Sequence, residues 1–359
     1  MPTFRPIPTG LVALAAALPL AAAPPAQEDW TAVEELFKPF DRPDAPGVSV
    51  GVIRDGKIAF AKGYGLADVE AKLPAGPGAY YRLASVSKQF TAMCVLILKE
   101  RGKLSLDDPL TKLFPGFPAY GKEIRVRNLL RHTSGLIDYE DVIPADMKGQ
   151  LLDKDVLSIL KGQDRLYFPA GTQFKYSNSG YALLALIVEA ASGKRYADFL
   201  REAVFAPLGM DGAVAHEKGV SEVARRAYGY TEKDGKFERT DQSQTSAVLG
   251  DGGIYCSIED YAKWDAALYT EKLVHRATLE EAFTAGKLTD GAPTRYGYGW
   301  FTDEMHGTKR LYHNGGTIGF NHAVTRLPEK KLTVIVLMNR DGEGQSRKLC
   351  DQVVELMVK

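Results

Sequence analysis

Alternation of apolar and polar residues at both ends of the chain predicts β-strands. Near the start, residues 48–54 and 57–63 flank Asp55-Gly56, a dipeptide that favours a tight hairpin turn. The alternation returns toward the end of the chain, so both termini supply strands. The further strands predicted there are 298–303, 310–313, 320–327 and 332–339.

Between these strands, apolar residues recur with the spacing of helices. Residues 89–100 and 181–191 are nearly all apolar, so we expect two buried helices, the second ended by Gly193. Strands from both termini joined by hairpins indicate one mainly antiparallel sheet, flanked by helices and interrupted by an all-helical insertion. The predicted fold class is therefore α/β, of the α+β kind. The shorter helices predicted by the same spacing are 29–37, 126–132, 153–161, 196–204 and 346–358.

One domain accounts for most of the chain. It spans residues 27–359, with its sheet from about 27–82 and 290–359 and its helical region at about 83–250. A chain of 359 residues that is 45% hydrophobic can bury a large core. No fixed-period repeat, low-complexity tract or block of charge marks a linker between separate modules.

Residues 1–26 have the layout of a secretory signal peptide. Arg5 is their only charge, residues 11–23 form an apolar run, and small residues follow at 21–26. The run is shorter than the roughly 20 residues that span a bilayer, and no nearby cysteine offers a site for a lipid anchor. A buried N-terminal helix is the alternative. We expect a periplasmic or secreted protein without a stable membrane anchor.

Charge and composition exclude several partners and cofactors. The 45 Lys and Arg residues equal the 45 Asp and Glu residues, so no dense basic surface for a nucleic acid is expected. Cys94, Cys256 and Cys350 are far apart, and the histidines do not have the spacing of metal ligands. The chain also contains no HExxH, Walker A or GxGxxG motif, so we predict neither a metal nor a cofactor. The oligomeric state is left open.

A serine and a lysine three residues apart introduce the candidate chemistry. Ser85 and Lys88 stand at the start of the apolar helix, where positions i and i+3 share one face. Burial favours the neutral form of an amine, which can accept a proton from serine. Ser158 and Lys161 repeat the spacing, but their charged neighbours indicate a solvated helix face.

A second candidate element is Tyr176-Ser177-Asn178, which follows the turn-rich loop 168–171. A phenol at this place can pass a proton between nucleophile, water and leaving group. An amide can orient Lys88 or a substrate carbonyl. The alternative is a loop tyrosine that packs on the core.

The third candidate element is His313-Asn314-Gly315-Gly316, at the end of a predicted strand. Glycines allow a substrate backbone to approach the strand edge, and their N–H groups can face an oxyanion. A plain glycine-rich turn is the alternative. All three elements fall where the helical region joins the sheet, which favours one shared site.

These motifs resemble the serine β-lactamase-related superfamily of class C β-lactamases, D-alanyl-D-alanine carboxypeptidases, D-amino-acid peptidases and family VIII esterases. The resemblance covers nearly all of residues 27–359. It implies an antiparallel sheet with covering helices and an all-helical region, in agreement with the pattern above. The blocks that carry it are Leu83–Phe90, Leu129–Leu136, Phe168–Gly171, Tyr176–Tyr181, Gly252–Ser257 and His313–Gly316.

The resemblance implies a role for each catalytic residue. Ser85 would be the acylated nucleophile and Lys88 its activating amine. Tyr176 would be the general base and acid. The oxyanion hole would consist of the N–H groups of Ser85 and Gly316, while His132 in the block 129–136 would be a structural core residue.

Substrate binding falls, by the same resemblance, to Asn178, His313, Gly315 and Gly316. β-Lactamases of this superfamily usually have Lys-Thr-Gly or Lys-Ser-Gly where this chain has His313-Asn314-Gly315. A fixed lysine charge attracts anionic substrates such as penicillins, whereas histidine near pH 7 is mostly neutral. We therefore rank efficient β-lactamase activity below esterase or peptidase activity.

The resulting hypothesis is an exported serine hydrolase that forms an acyl-enzyme on Ser85. Its substrates would be small esters, or amide and D-amino-acid peptide bonds. The alternative is a β-lactamase, or a slow-turnover penicillin-binding or sensor protein. An aromatic cleft would favour esters slightly, with ordinary core packing as the other interpretation. Its candidate residues are Tyr228, Tyr230, Tyr296, Tyr298 and Trp300.

Overall fold

The computed structural model describes residues 1–3 and 28–358. Almost all of the predicted signal peptide lies outside the described residues. The helices are α1 Thr31–Phe37, α2 Lys88–Glu100, α3 Leu110–Leu113, α4 Val126–Leu130, α5 Asp153–Lys161, α6 Asn178–Ser192, α7 Tyr196–Leu200, α8 Ala206–Leu208, α9 Leu249–Gly252, α10 Ile258–Ala267, α11 Arg276–Ala282 and α12 Gln345–Val358. Among these described helices, none combines the length and apolar character needed to cross a bilayer.

A six-stranded sheet joins the two ends of the described chain. Its strand order is β10-β11-β12-β13-β1-β2, and every neighbouring pair is antiparallel. β1 pairs with β13 from Val48 opposite Met338 to Arg54 opposite Leu332. This confirms the predicted antiparallel sheet built from both termini. The strands in chain order are β1 Val48–Arg54, β2 Lys57–Tyr64, β3 Leu66–Asp68, β4 Leu73–Pro74, β5 Tyr81–Arg82, β6 Val214–Ala215, β7 Tyr230–Lys233, β8 Lys236–Arg239, β9 Ile254–Cys256, β10 Phe301–Met305, β11 Thr308–Thr317, β12 Phe320–Leu327 and β13 Leu332–Met338.

Both faces of the sheet are buried, which explains why β13 is apolar apart from Thr333. Successive strand residues point to opposite faces. Val334, Val336 and Met338 belong to the cluster formed with α1 and α12. Ile335 and Leu337 belong to the larger cluster formed with the helical region. The sheet is therefore the middle layer of three, and the helical region covers one of its faces.

Two departures from the predicted elements have local causes. The strand expected at 298–303 begins only at Phe301, because Gly299 has a φ of +78°. A Cβ at Gly299 would lie 2.8 Å from the Lys88 carbonyl oxygen, so the chain must bend there to pass the start of α2. The helix expected at 196–204 divides into α7 and a π-helical turn, Arg201–Phe205.

The region 83–250 holds strands as well as helices. β7 and β8 form a hairpin whose turn is Asp234-Gly235, with φ of +51° and +74°. The same dipeptide at residues 55–56 turns the hairpin of β1 and β2. Its second occurrence does not stand between alternating apolar strands, because the flanking strands are largely polar and exposed. The predicted all-helical insertion is therefore helical only in its main part.

Candidate active site

A sharp bend between β5 and α2 presents the candidate nucleophile. Ala84 adopts a φ of +48°, a left-handed conformation that is strained for a residue with a Cβ. A 3-10 turn, Ala84–Ser87, then leads directly into α2, whose first residue is Lys88. Ser85 is partly exposed, whereas Lys88 is fully buried. The turn thus holds the hydroxyl at a surface and the amine beneath it.

The Lys88 amine has three hydrogen-bond acceptors around it. Its Nζ lies 3.1 Å from Ser85 Oγ, 2.8 Å from Asn178 Oδ1 and 2.9 Å from the backbone oxygen of Asp251. A charged amine can donate to all three oxygens; a neutral amine can still donate to Asn178 and Asp251 while its lone pair accepts from the hydroxyl of Ser85. The predicted pairing of Ser85 with Lys88 is present in the structure, and Asn178 orients the amine.

The second serine-lysine pair has different contacts. Ser158 Oγ donates to the backbone oxygen of Lys154, and Lys161 Nζ donates to the backbone oxygen of Pro115. Ser158 is exposed on α5. This pair lies on a solvated helix face, as its charged neighbours indicated.

Tyr176 lies over the amine. Lys88 Nζ is 5.0 Å from the centre of the phenol ring, which stacks on Phe301 at 6.1 Å and lies 4.2 Å from the ring of His132. The phenol oxygen is buried, and no described residue is within hydrogen-bond distance of it. The phenol oxygen is therefore not engaged by the described residues, and Tyr176 is not among the residues that line the cavity beside Ser85.

His132 supports the tyrosine without adding charge. It is buried, and its Nδ1 accepts a hydrogen bond of 3.1 Å from the backbone N–H of Ser177. Burial and the charge of Lys88 hold the pKa of His132 well below its usual range. The neutral ring therefore acts as an aromatic backing for Tyr176.

Asn178 begins α6 and is held from two sides. Its backbone N–H donates to Asp138 Oδ2 at 2.7 Å, and its side-chain Nδ2 donates to Glu140 Oε1 at 3.2 Å. With Nδ2 engaged, Oδ1 faces Lys88. The amide orientation is thus set by its hydrogen bonds.

The strand β11 closes the other side of the site. A Cβ on Gly315 would lie 2.3 Å from the backbone oxygen of Leu83, so only glycine lets the strand pack this closely against the nucleophile turn. Gly316 faces open space and lines, with Ser85, a cavity of about 40 Å³. The other residues that line this cavity are Arg82, Ala84, Tyr139, Glu140, Asn178, Thr245, Asp251, Gly252 and Thr317.

His313 is buried beside this cavity and is not among the residues that line it. Its Nδ1 donates to the backbone oxygen of Asn314 at 2.7 Å, so its Nε2 accepts from the hydroxyl of Tyr296 at 2.9 Å. Burial, reinforced by the charge of Lys88, lowers the pKa of His313 to about 3. The histidine is therefore a neutral support of β11 in this structure.

The expected aromatic cleft does not form. Four of its five candidate residues are buried in the core, which agrees with the alternative of ordinary core packing. They are Tyr230, Tyr296, Tyr298 and Trp300. Tyr228 is partly exposed and has the guanidinium groups of arginines against its ring. The slight preference for esters that rested on these aromatic residues is thereby lost.

Two carboxylates of the site were not predicted from the sequence. Asp251 accepts a hydrogen bond of 2.9 Å from the hydroxyl of Tyr139, and burial raises the pKa of Asp251 to about 7. Burial and the neighbouring Asp138 also raise the pKa of Glu140. Neither carboxylate stands in a recognisable spacing with Ser85 or Lys88, so no sequence signal pointed to them.

The family follows from a comparison of the whole chain with known proteins. The sequence profile described as Beta-lactamase matches residues 33–359. The chain belongs to the beta-lactamase family. Penicillin-binding protein 4* of Bacillus subtilis (strain 168) is 32% identical over 305 residues, which are 81% of this chain and 67% of that protein. D-aminopeptidase of Gluconobacter oxydans (strain 621H) is 27% identical over 312 residues, 84% of this chain but only 57% of that relative.

Solved structures agree with this assignment. The D-amino acid amidase of Ochrobactrum anthropi SV3, complexed with L-phenylalanine amide, has a TM-score of 0.77 at 25% identity and covers 91% of this chain and 97% of its own. The octameric penicillin-binding protein homologue from Pyrococcus abyssi also has a TM-score of 0.77, at 28% identity, over 87% of this chain and 73% of its own. The fold of this beta-lactamase family member is thus that of penicillin-binding proteins, and its relatives support a hydrolase.

Proposed function

We propose that this protein is a serine hydrolase that forms an acyl-enzyme on Ser85 and cleaves amide or peptide bonds of D-amino acids, as well as small esters. The observation that carries the proposal is the Lys88 amine, 3.1 Å from Ser85 Oγ and fixed by Asn178 and Asp251. An amine held this close to a hydroxyl is suited to take its proton. The rest of the site supplies the other groups that acyl transfer needs.

The reaction proceeds in two halves. Neutral Lys88 takes the proton of Ser85 Oγ while that oxygen attacks the substrate carbonyl carbon, and the N–H groups of Ser85 and Gly316 stabilise the oxyanion. Tyr176 gives its proton to the departing amine or alcohol, the bond to the leaving group breaks, and the tyrosinate regains a proton through Lys88. Water then attacks the ester carbon on Ser85 while Tyr176 takes the water proton and passes its own proton to neutral Lys88. Lys88 returns that proton to Ser85 Oγ as the acyl C–O bond breaks and the acid is released.

Two features favour D-amino acid amides and peptides among the possible substrates. Relatives named D-aminopeptidase and D-amino acid amidase span most of this chain. The third motif holds neutral, buried His313 instead of a lysine charge, and the aromatic cleft that favoured esters is absent from the described site. Peptide or amide cleavage is therefore preferred over β-lactam hydrolysis.

The test measures turnover and covalent labelling together. Wild type and Ser85→Ala are exposed briefly to p-nitrophenyl acetate, D-alanine p-nitroanilide and a penicillin, with chromophore release followed by absorbance and intact mass by spectrometry. We expect turnover of the ester and the anilide, and at most a slow penicillin adduct, all dependent on Ser85. Equal turnover by Ser85→Ala would refute the assignment of the nucleophile.

A slow penicillin-binding protein is the second candidate, because Penicillin-binding protein 4* is the relative with 32% identity. It predicts a lasting adduct of one penicillin per chain without chromophore turnover. The same mass experiment separates the two candidates, since an acyl-enzyme that accumulates on every substrate supports the second.

We also propose that the protein is exported. The support is the layout of residues 1–26, with one charge, an apolar run and small residues at the end. Expression of the full chain in a bacterium should yield a periplasmic or secreted protein that lacks this segment. A cytoplasmic product that still carries Met1 would contradict export.

A further inference from the structure

Arg82 is a buried cation without an anionic partner among the described residues. Its side chain is 3% exposed, and its Nη1 donates to two neutral hydroxyls, Ser246 Oγ at 2.6 Å and Thr317 Oγ1 at 3.2 Å. Its Nε is buried without a hydrogen-bond partner. Burying a charge in this way is costly unless another group compensates it.

Each of the other buried arginines forms an ion pair with an aspartate, which offsets the cost of burying the charge. Within residues 28–358, Arg326 is paired with Asp265 at 2.8 Å and Arg310 with Asp303 at 2.6 Å. Arg82 is the exception among the buried arginines of the described chain. An unpaired guanidinium that the structure keeps buried points to an anion supplied from outside.

The position of Arg82 tells where such an anion would lie. Arg82 lines the same cavity as Ser85 and Gly316. Ser246, to which it donates, lines a neighbouring cavity of about 860 Å³. The guanidinium therefore stands between the nucleophile and a space large enough for several residues of a peptide.

The larger cavity is polar and has an excess of positive charge. Arg226 and Asp241 neutralise each other at 2.6 Å, while Lys218 is exposed and has no ion-pair partner in the described chain. Burial lowers the pKa of His216, which keeps this lining residue neutral. The remaining polar residues of the lining are Gln150, Gln242, Ser243, Gln244 and Tyr255.

We propose that the larger cavity holds the acyl part of the substrate and that Arg82 binds a carboxylate on it. The inference rests on the proposed function, because the acyl group must be transferred to Ser85. The preferred substrates are then N-acyl D-amino acid amides or peptides with a carboxylate at the acyl end. In this arrangement the fixed positive charge comes from Arg82 at the end of β5, whereas the third motif holds neutral His313.

A matched pair of substrates tests this charge. N-succinyl-D-alanine p-nitroanilide and N-butyryl-D-alanine p-nitroanilide differ by a terminal carboxylate in place of a methyl group. Wild type should have a higher kcat/KM for the succinyl substrate. Arg82→Gln should lower that value by about tenfold or more, since a hydrogen bond to a charged group is lost, and change the butyryl value little. Arg82→Lys should retain part of the preference.

Lys218→Gln tests the competing cation, because Lys218 lines the larger cavity, lies exposed and has no ion-pair partner in the described chain. Its preference should match that of wild type; loss of the preference there would assign the carboxylate to the outer cavity and overturn the role of Arg82. Thermal unfolding shows whether each variant is folded. If Arg82→Gln does not fold, a wild-type succinyl preference that persists in Lys218→Gln supports Arg82, and the absence of that preference in wild type refutes the carboxylate site.

The outcomes separate this inference from the proposed function. Turnover of the butyryl substrate without any succinyl preference would support the hydrolase and refute the carboxylate site. Failure of wild type to cleave either anilide or p-nitrophenyl acetate would overturn the proposed function and this inference with it.

Discussion

The contact between Gly315 and the nucleophile turn gives a sharp test of the site geometry. A Cβ at this position would lie 2.3 Å from the backbone oxygen of Leu83, whereas ordinary contacts begin at 3.4 Å. The substitution Gly315→Ala must therefore move β11 or the turn by about 1 Å. A backbone oxygen cannot rotate away as a flexible side chain would.

This displacement acts on the catalytic groups themselves. The same strand carries Gly316, and the same turn carries Ser85, so the two N–H groups of the proposed oxyanion hole separate. A misplacement of 1 Å costs about a hundredfold in rate, and overpacking costs roughly 1–3 kcal/mol of stability. We expect Gly315→Ala to lower kcat/KM for p-nitrophenyl acetate by about two orders of magnitude and to lower Tm.

Gly316→Ala is the matched comparison on the neighbouring residue. A Cβ there meets nothing within 4 Å, and the backbone N–H is retained. We expect an unchanged Tm and a much smaller loss of activity, measured by the same ester assay and by thermal unfolding. Wild-type activity and stability in Gly315→Ala would refute the tight packing of β11 on the turn.

Three further predictions concern the charged and nucleophilic groups. Ser85→Ala should abolish ester hydrolysis with an unchanged Tm, because the hydroxyl is used in the reaction. Lys88→Ala should lower kcat by a factor of about 10² to 10⁴, whereas Lys161→Ala should retain wild-type kcat in the same assay. Burial raises the pKa of Asp251 from 3.8 to about 7, so protonation stabilises the folded state; this stabilisation is full below about pH 4 and lost as the pH rises through 7. Asp251→Asn should therefore lose less Tm between pH 5 and pH 8 than wild type or the exposed control Asp146→Asn, and equal slopes would contradict the raised pKa.

Several predicted features that are present in the structure follow from local geometry. Ser85 and Lys88 are one helical turn apart, so their approach needs only the local backbone. The bounds of α5 and the hairpin of β1 and β2 likewise follow from spacing within a few residues. Such features are readable from the sequence because they do not depend on distant parts of the chain.

Contacts between residues far apart in the sequence could not be predicted from the pattern of apolar and polar positions. Lys88 meets Asn178 across 90 residues and Asp251 across 163 residues of sequence. Asn178 was found because it stands in a motif, whereas Asp251 has no such signal. The burial of His313 and the missing ion-pair partner of Arg82 are also properties of the packed molecule.

The sequence by itself indicated most of the elements, the antiparallel sheet and the serine-lysine pair, since periodicity, hairpin turns and the i, i+3 spacing are properties of residues close together in the chain. Only the tertiary structure decided which charges surround that pair. Burial sets the pKa of Asp251 and keeps His313 neutral, while the close packing of Gly315 brings β11 against Ser85. These properties arise from desolvation and from atoms that meet across the fold, and neither quantity is encoded in the spacing of residues along the chain.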